Sequence, residues 1–401
     1  MMSNLSKKEQ NRKTYLDMYF KGIPPSDDFV TVFNLMHEVL NRGDIHFVCD
    51  YPFSVVWELT SACNLRCRHC YIQSRENAYC SENDLSDGEM MELARQLVDY
   101  FEVNHVTLTG GEPFLRKNIL DILNVLKESN TAVYIQTNAT LINDNIIECL
   151  AKLLNPNIDV IQVSLDGLIS DSHNKIRGKD IYNKVVENIK KMIEAGLFVS
   201  VNCTMTKLNY DEIENLLLVC NDMGVKRFTV TKMKVTIPEH EEFVLTNDEN
   251  FEMISRLINL KMSKNLPIHM NLTCFSIMEL LNDNAVRTML DDYIDKDAKL
   301  NPPIYMNCHH REKIAIKPDG KVYLCPDVVS QKALLGDFKK NSLEEIWATV
   351  DSHPLYQFRE FSKMECKNCK FVFLCKSGCM GENFVKTENI YSKSPDCKFC
   401  F

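Results

Sequence analysis

Three cysteines near the start of the chain are close enough in sequence to bind one metal centre. The stretch CNLRCRHCY places Cys63, Cys67 and Cys70 with three and then two residues between them. A structural zinc ion or a self-contained iron–sulfur cluster takes four protein ligands. Three thiolates can instead hold three irons of a [4Fe–4S] cluster and leave the fourth iron open to an exogenous ligand. We predict such an open-site cluster; a zinc site completed by a distant residue is the alternative.

A second group of cysteines lies near the end of the chain. Four of its members form the pattern CxxCx5Cx3C in CKNCKFVFLCKSGC. Clustered cysteines indicate metal binding in a cytosolic chain, which has little use for disulfides. Iron–sulfur clusters are favoured here, and a pair of zinc ribbons is the alternative. The group comprises Cys308, Cys325, Cys366, Cys369, Cys375, Cys379, Cys397 and Cys400.

Polar motifs provide further candidate ligand contacts. In TLTGGEPF, Gly110 and Gly111 let the backbone pass close to a ligand, and Glu112 supplies a carboxylate. A glycine pair before Glu-Pro is also an ordinary tight turn. In QTNAT, Gln136 and Asn138 could contact a ligand or cap their own loop.

The elements that position these motifs alternate between strand and helix patterns. Strands are predicted at 54–60, 105–109, 132–137, 159–165, 198–204 and 227–233. Helices are predicted at 86–100, 118–129, 144–154, 181–195 and 210–223, and a sixth begins at the capping box Thr246 to Glu249. This alternation predicts an α/β fold, a partial (β/α)6 barrel of parallel strands. Each motif follows a strand, at the end where such barrels place their chemistry.

The domain organisation follows from the same pass along the chain. We predict a helical N-terminal extension at 1–50, the partial barrel at 51–265 and a helical bridge at 266–304. Residues 305–401 are predicted to form a small cysteine-rich domain held together by its metals rather than by a large core.

Composition excludes several classes of protein. The formal net charge of −9 gives no basic field for nucleic acid. The sequence contains no apolar run of about 18 residues or more, so it predicts no transmembrane helix. The N-terminal segment lacks the apolar core of a signal peptide, so we expect a cytoplasmic protein.

The CxxxCxxC spacing, the GGEP motif and the partial barrel resemble the radical S-adenosylmethionine (SAM) superfamily. The resemblance implies that Cys63, Cys67 and Cys70 hold the cluster and that SAM chelates its open iron. One electron then cleaves SAM, and the resulting 5′-deoxyadenosyl radical abstracts a hydrogen atom from the substrate. The implied SAM contacts are Gly110, Gly111 and Glu112 for the amino group, Tyr71 beside adenine, Ser164 and Arg177 with Asp166 nearby, and Gln136 and Asn138 at a strand end.

The C-terminal cysteines resemble the SPASM domain, which houses two auxiliary [4Fe–4S] clusters. The resemblance implies three clusters in all, together with SAM. The outer cluster would be held by Cys366, Cys369, Cys375 and Cys397. The inner cluster would be held by Cys308, Cys325 and Cys379, and its fourth position would be filled by Cys400 or stay open to substrate.

The resemblance also suggests a reaction, because family members with this domain mostly modify peptides and proteins. We predict oxidative maturation of a ribosomal peptide or protein, such as a thioether or other crosslink, with a reductant such as flavodoxin or ferredoxin. Asp327, two residues after Cys325, is a candidate proton acceptor or a turn aspartate.

Two other functions stay open. Haem or other tetrapyrrole chemistry would use basic residues around the barrel mouth to bind a polycarboxylate; Arg66, Arg68, Arg75, Lys232 and Lys234 are the candidates. A non-catalytic iron–sulfur electron carrier or scaffold is the alternative from another class. The open-site triplet counts against it, because a carrier would ligate all four irons.

Overall fold

The structure is a computed structural model that describes the barrel and parts of the C-terminal region. The described residues are 52, 54–70, 83–235, 237–273, 313–326, 328–353, 360–369, 372, 377, 378, 380–394 and 397. The predicted N-terminal extension at 1–50 lies outside them.

The core of the fold is a single sheet in the order β10-β9-β8-β1-β2-β3-β4-β5-β6-β7. In this sheet order, the neighbouring strands in the run β8-β1-β2-β3-β4-β5-β6-β7 are all parallel. The pairs β8–β9 and β9–β10 are antiparallel. Among the described strands, β7 and β10 are the two edges, so the barrel is open. The strands are β1 Ser54–Glu58, β2 His105–Thr109, β3 Ala132–Thr137, β4 Val160–Ser164, β5 Val199–Met205, β6 Arg227–Lys232, β7 His269–Thr273, β8 Lys313–Ile316, β9 Lys321–Tyr323 and β10 Leu334–Asp337.

Helices connect the parallel strands and cover the outer face of the sheet. Three of them begin with capping boxes, Ser86–Glu89, Thr246–Glu249 and Ser342–Glu345. The described helices are α1 Asp87–Asp99, α2 Ile119–Glu128, α3 Asp144–Leu153, α4 Ser170–Arg177, α5 Tyr182–Glu194, α6 Ile213–Asp222, α7 Asn247–Lys264, α8 Leu343–Trp347 and α9 Met380–Thr387. No helix in this part of the chain is long and apolar enough to cross a membrane.

The two faces of the sheet differ in chemistry, because successive side chains on a strand point to opposite sides. Fully buried apolar residues such as Trp57, Leu108 and Phe228 belong to the core shared with the helices. The alternate residues form the inner face and are mostly polar, for example Gln162 and Asn202. The barrel interior is therefore hydrophilic.

The structure confirms the predicted fold class and the six predicted strand–helix units. The helical bridge was predicted to begin at 266. The structure instead has strand β7 just after that position, and this strand extends the parallel sheet. The alternating sequence HMNLT is an edge strand with mostly exposed side chains, so it lacks a strong apolar signal. The rest of the predicted bridge, 274–304, lies outside the described residues.

The start of the C-terminal region is built onto the barrel. Strand β8 pairs with β1, and Ile314, Ile316 and Trp347 belong to the main core. The Trp347 ring also lies edge-on to Phe101 of the barrel, with 5.5 Å between centroids. We expected metals rather than a large core to hold this region together; the structure shows that Ile314, Ile316 and Trp347 join the main hydrophobic core.

Candidate functional site

The cysteine loop follows β1 and lies against the loop that follows β2. The Gly111 amide donates to the Thr60 carbonyl at 2.7 Å, and the Glu112 amide donates to the Ala62 carbonyl at 2.8 Å. A Cβ at Gly111 would come within 1.9 Å of the Ala62 oxygen, and Gly110 has a φ of +128°. Glycine is therefore required at both positions, because the two loops touch through their backbones.

The three cysteines occupy a mostly buried loop. Cys63 and Cys67 are buried and Cys70 is half-buried. Burial raises the pKa of the Cys63 thiol to about 11, and the nearby Glu112 carboxylate and the other two thiols add to the effect. Burial also raises the pKa of the Cys67 thiol. The buried thiols of Cys63 and Cys67 therefore stay protonated unless a metal supplies positive charge, and with Cys70 beside them this donor set fits the three-cysteine side of an iron–sulfur cluster.

Hydrogen-bond donors already face two of the sulfurs. The Leu65 amide lies 3.5 Å from Cys63 Sγ, and Arg177 Nη1 lies 3.6 Å from Cys67 Sγ. Such donors stabilise a thiolate and tune cluster potentials. Within the described residues no three His, Cys, Asp or Glu side chains converge on one ion. A cube does not require that, because each cysteine binds a different iron.

The predicted SAM contacts Asp166 and Arg177 form a buried ion pair behind the cysteine loop. Arg177 Nη2 lies 2.5 Å from Asp166 Oδ2, and His69 Nε2 lies 3.4 Å from the same oxygen. Burial raises the pKa of Asp166, but Arg177 and His69 outweigh it and hold that pKa below its ordinary value. The described contacts of this pair orient Cys67 and the loop around it.

Helix α4 presents Arg177 from its last turn. Gly178 ends the helix in the left-handed conformation, and a Cβ there would come within 2.7 Å of the Arg66 carbonyl oxygen. The Arg68 amide donates to the Ile176 carbonyl at 2.9 Å. The end of α4 is thus attached to the cysteine loop through backbone contacts.

Glu112 connects the ends of β2 and β3. Its carboxylate accepts hydrogen bonds from Thr137 Oγ1 at 2.7 Å, from the Asn138 amide at 2.8 Å and from the Phe114 amide at 3.2 Å. Burial raises its pKa to about 7, although these hydrogen bonds oppose the shift. The side chain is 1% exposed, so in the described state it holds two strand ends together.

Of the remaining predicted SAM contacts, Asn138 supports the cysteine loop, whereas Gln136 and Ser164 lie on the inner face of the sheet. Asn138 Nδ2 donates to Asn64 Oδ1 at 2.9 Å, and its own Oδ1 accepts from the Thr140 amide at 2.9 Å. Asn138 thus supports the cysteine loop. Gln136 and Ser164 are half-buried on the inner face of β3 and β4, where they are accessible to a ligand.

Two residues that the sequence analysis missed clamp the start of the loop. Asp84 accepts from Thr60 Oγ1 at 2.9 Å and from Ser61 Oγ at 2.9 Å. Arg116, directly after GGEPFL, donates to the Leu59 carbonyl at 3.0 Å and lies 3.5 Å from Asp84. Both act over long sequence separations, so no local pattern indicates them.

The structure describes four of the C-terminal cysteines. Cys325 follows β9 and is half-buried, whereas Cys366 is buried beside Met364 and Val372, with Cys369 packed against them. Ser377 Oγ donates to Cys366 Sγ at 3.4 Å. Cys397 is half-buried. The structure therefore packs Cys369 against the apolar cluster that contains Cys366, and the ligand set of the outer cluster stays a prediction.

Several predicted residues cannot be placed. Tyr71, Arg75, Cys308, Asp327, Cys375, Cys379 and Cys400 lie outside the described residues. Of the basic candidates for a polycarboxylate, Arg66 donates to the Cys63 and Leu65 carbonyls and Arg68 stacks on Phe243. Arg66 thus supports the cysteine loop, whereas Arg68 packs against the segment before α7.

Two family profiles match separate segments of the chain. The profile described as the Radical SAM superfamily matches residues 57–220. The profile described as an iron–sulfur cluster-binding domain, SPASM, matches residues 308–370.

Individual relatives extend over most of the chain. The AdoMet-dependent heme synthase of Methanosarcina barkeri is 23% identical over 364 residues, covering 86% of this chain and 96% of that protein. Mycofactocin maturase MftC of Mycobacterium ulcerans is 24% identical over 355 residues, covering 87% and 88%. The crystal structure of Streptococcus suis SuiB bound to precursor peptide SuiA superposes with a TM-score of 0.67 at 19% identity, covering 98% of this chain and 88% of SuiB. This similarity establishes a shared fold.

Proposed function

The chain belongs to the radical SAM superfamily and carries a SPASM domain, and we propose that this enzyme oxidatively modifies a ribosomal peptide or protein. The observation that carries the proposal is the buried loop of Cys63, Cys67 and Cys70 against the Gly110–Glu112 turn. Similarity to a mycofactocin maturase and to SuiB, solved with its precursor peptide, supports the substrate class.

In this mechanism the protein holds and orients its cofactors. The three loop cysteines would hold one [4Fe–4S] cluster, and the C-terminal cysteines would hold two more. When bound, the first cluster supplies the electron that cleaves SAM to a 5′-deoxyadenosyl radical. Arg177 and the Leu65 amide stabilise the sulfurs, and Glu112 keeps the strand ends aligned beside them.

Two measurements on the anaerobically reconstituted protein test this function. We expect about twelve irons per chain, four for each cluster, and formation of 5′-deoxyadenosine from SAM after reduction. Replacing Cys63, Cys67 and Cys70 together with alanine should remove about a third of the iron and all SAM cleavage. Wild-type protein that contains zinc, or that cleaves no SAM, would show that the proposal is wrong.

The proton acceptor and the reductant are part of the same proposal. We assign the proton acceptor to Asp327. Asp327→Asn should lower the yield of modified peptide while 5′-deoxyadenosine still forms.

A flavodoxin or ferredoxin in the cytoplasm would supply electrons, and replacing dithionite by such a protein should sustain turnover.

Tetrapyrrole chemistry is the second candidate, because the heme synthase of M. barkeri matches as much of the chain as the maturase does. The two are separated by incubating the reduced enzyme and SAM with a carboxylate-bearing iron porphyrin. A mass change in the porphyrin would favour tetrapyrrole chemistry, whereas an unchanged porphyrin favours a peptide substrate.

A further inference from the structure

The guanidinium of Arg177 contacts a buried carboxylate with one nitrogen and a cysteine sulfur with another. Arg177 Nη2 lies 2.5 Å from Asp166 Oδ2, and Arg177 Nη1 lies 3.6 Å from Cys67 Sγ. The Arg177 side chain is only 9% exposed. Water therefore screens its positive charge little, and the charge acts on Cys67 at close range.

Asp166 is fixed by contacts from three parts of the barrel. Its Oδ1 accepts a hydrogen bond from the Thr204 amide in β5 at 2.8 Å. Its own amide donates to His173 Nδ1 in α4 at 3.2 Å, and His69 Nε2 of the cysteine loop lies 3.4 Å from Oδ2. Because the carboxylate is fully buried and held on several sides, it keeps Arg177 in one position beside the loop.

The contacts of Arg177 leave little of it for another ligand. Both terminal nitrogens already contact protein atoms. Arg177 Nε is buried and has no hydrogen-bond partner in the described part of the chain, so a single nitrogen is left. A carboxylate that binds a guanidinium with two parallel hydrogen bonds needs two free nitrogens. The geometry therefore favours an action of Arg177 on Cys67 over a paired contact with the carboxylate of SAM.

We propose that Arg177 sets the reduction potential of the first cluster through Cys67, and that Asp166 is a positioning residue that acts through Arg177. Reduction adds one electron, supplied by the flavodoxin or ferredoxin of the proposed function, and changes no bond of the protein. A nearby positive charge stabilises the reduced cluster, which is more negative, and a negative charge opposes it. A hydrogen bond to a ligating sulfur also tunes the potential. This role rests on the proposed function, because it needs a cluster at the cysteine loop.

The test is a redox titration of the reconstituted full-length protein, followed by electron paramagnetic resonance without SAM or peptide. The signal of the first cluster is the one that disappears when Cys63, Cys67 and Cys70 are replaced with alanine. Arg177→Gln should make its potential more negative, by about tenfold in the equilibrium constant of reduction, or about 59 mV for one electron. Asp166→Asn should shift the potential in the opposite direction, because the negative charge is lost and the positive charge stays.

Two further variants separate the charge from other effects. Arg177→Lys keeps the positive charge and should stay closer to the wild type than Arg177→Gln does. Arg256→Gln is the matched control, because Arg256 also pairs with a carboxylate, that of Glu214, but on helices α6 and α7. Its potential should equal that of the wild type. The sign of the shift in Asp166→Asn decides the question even where Arg177→Gln fails to assemble the cluster.

The opposite signs are the decisive result, since two substitutions that merely loosen the loop give no reason for them. Shifts of the same sign in Arg177→Gln and Asp166→Asn, or potentials equal to that of the wild type, would overturn the proposal. S-adenosylhomocysteine has the carboxylate of SAM but is not cleaved. If Arg177→Gln binds it about tenfold more weakly and has an unchanged potential, Arg177 is a SAM contact instead.

The proposed function is judged by separate measurements. If the wild type assembles the first cluster and cleaves SAM while the variants show no shift, only the role of Arg177 and Asp166 is wrong. If the wild type shows no signal from a first cluster, the proposed function and this role are both wrong.

Discussion

At the scale of single residues, the side chains around the cysteine loop act mainly by fixing its shape. Asp166, Arg177 and His69 orient Cys67, whereas Glu112 and Asn138 bind the neighbouring strand ends. The motifs that carry the family resemblance could be located from the sequence. Their contacts could not, because an arginine that faces a sulfur and one that faces a ligand have the same sequence pattern.

Asp166→Asn should destabilise the protein strongly. The substitution leaves the Arg177 guanidinium buried without its carboxylate, which typically costs about 3–5 kcal/mol. Urea unfolding followed by circular dichroism measures the loss. Asp144→Asn is the control, because Asp144 pairs with Lys191 at 2.9 Å on the surface and should cost at most about 1 kcal/mol. Equal losses in the two variants would contradict the role of the buried pair.

His105 should make stability depend on pH between 5 and 7.5. Its pKa is lowered from 6.5 to about 4 in the folded chain, so the unfolded chain binds more protons in this range. Stability therefore falls as the pH is lowered, by about 2 kcal/mol for this group between pH 7.5 and pH 5. His105→Gln should lose about that much less over the same range in urea unfolding. Parallel curves for wild type and variant would exclude the shift.

At the scale of elements, the sequence predicts the strands and helices that carry strong periodic patterns. The predicted bounds of β2 and β3 agree with the structure because each strand is a β-branched and apolar run between polar turns. Helix α4, strand β7 and strand β8 were not predicted. The first is a polar helix and the third has only four residues, KIAI, so tertiary pairing rather than local pattern determines them.

The contact between the cysteine loop and the turn after β2 makes a prediction about glycine. Gly111→Ala would place a Cβ 1.9 Å from the Ala62 oxygen, so the two loops must separate. We expect the variant to lose about a third of the iron of the reconstituted protein and all SAM cleavage. Gly88→Ala is the control, since nothing lies within 4 Å of its added Cβ. Full iron content in Gly111→Ala would show that the loops can move apart without cost.

At the scale of the whole molecule, one buried ion pair joins the barrel to the C-terminal region. Lys317 Nζ, just after β8, lies 2.5 Å from Glu58 Oε1 at the end of β1 and 3.4 Å from the Pro326 carbonyl. Pro326 adjoins Cys325, and Glu58 lies five residues before Cys63. The pair thus fixes the backbone beside a predicted auxiliary-cluster ligand relative to the loop of the first cluster, over a sequence separation of 259 residues.

A double-mutant cycle on Glu58 and Lys317 measures this connection. Glu58→Gln and Lys317→Met should each cost about 3–5 kcal/mol in urea unfolding, because each removes one charge of a mostly buried ion pair. The double variant should cost less than the sum of the two, with a coupling energy of about 1–3 kcal/mol. The exposed pair Glu148 and Lys152 is the control, and its coupling should be at most about 0.5 kcal/mol. Additive losses at Glu58 and Lys317 would mean that this ion pair does not connect the C-terminal region to the barrel.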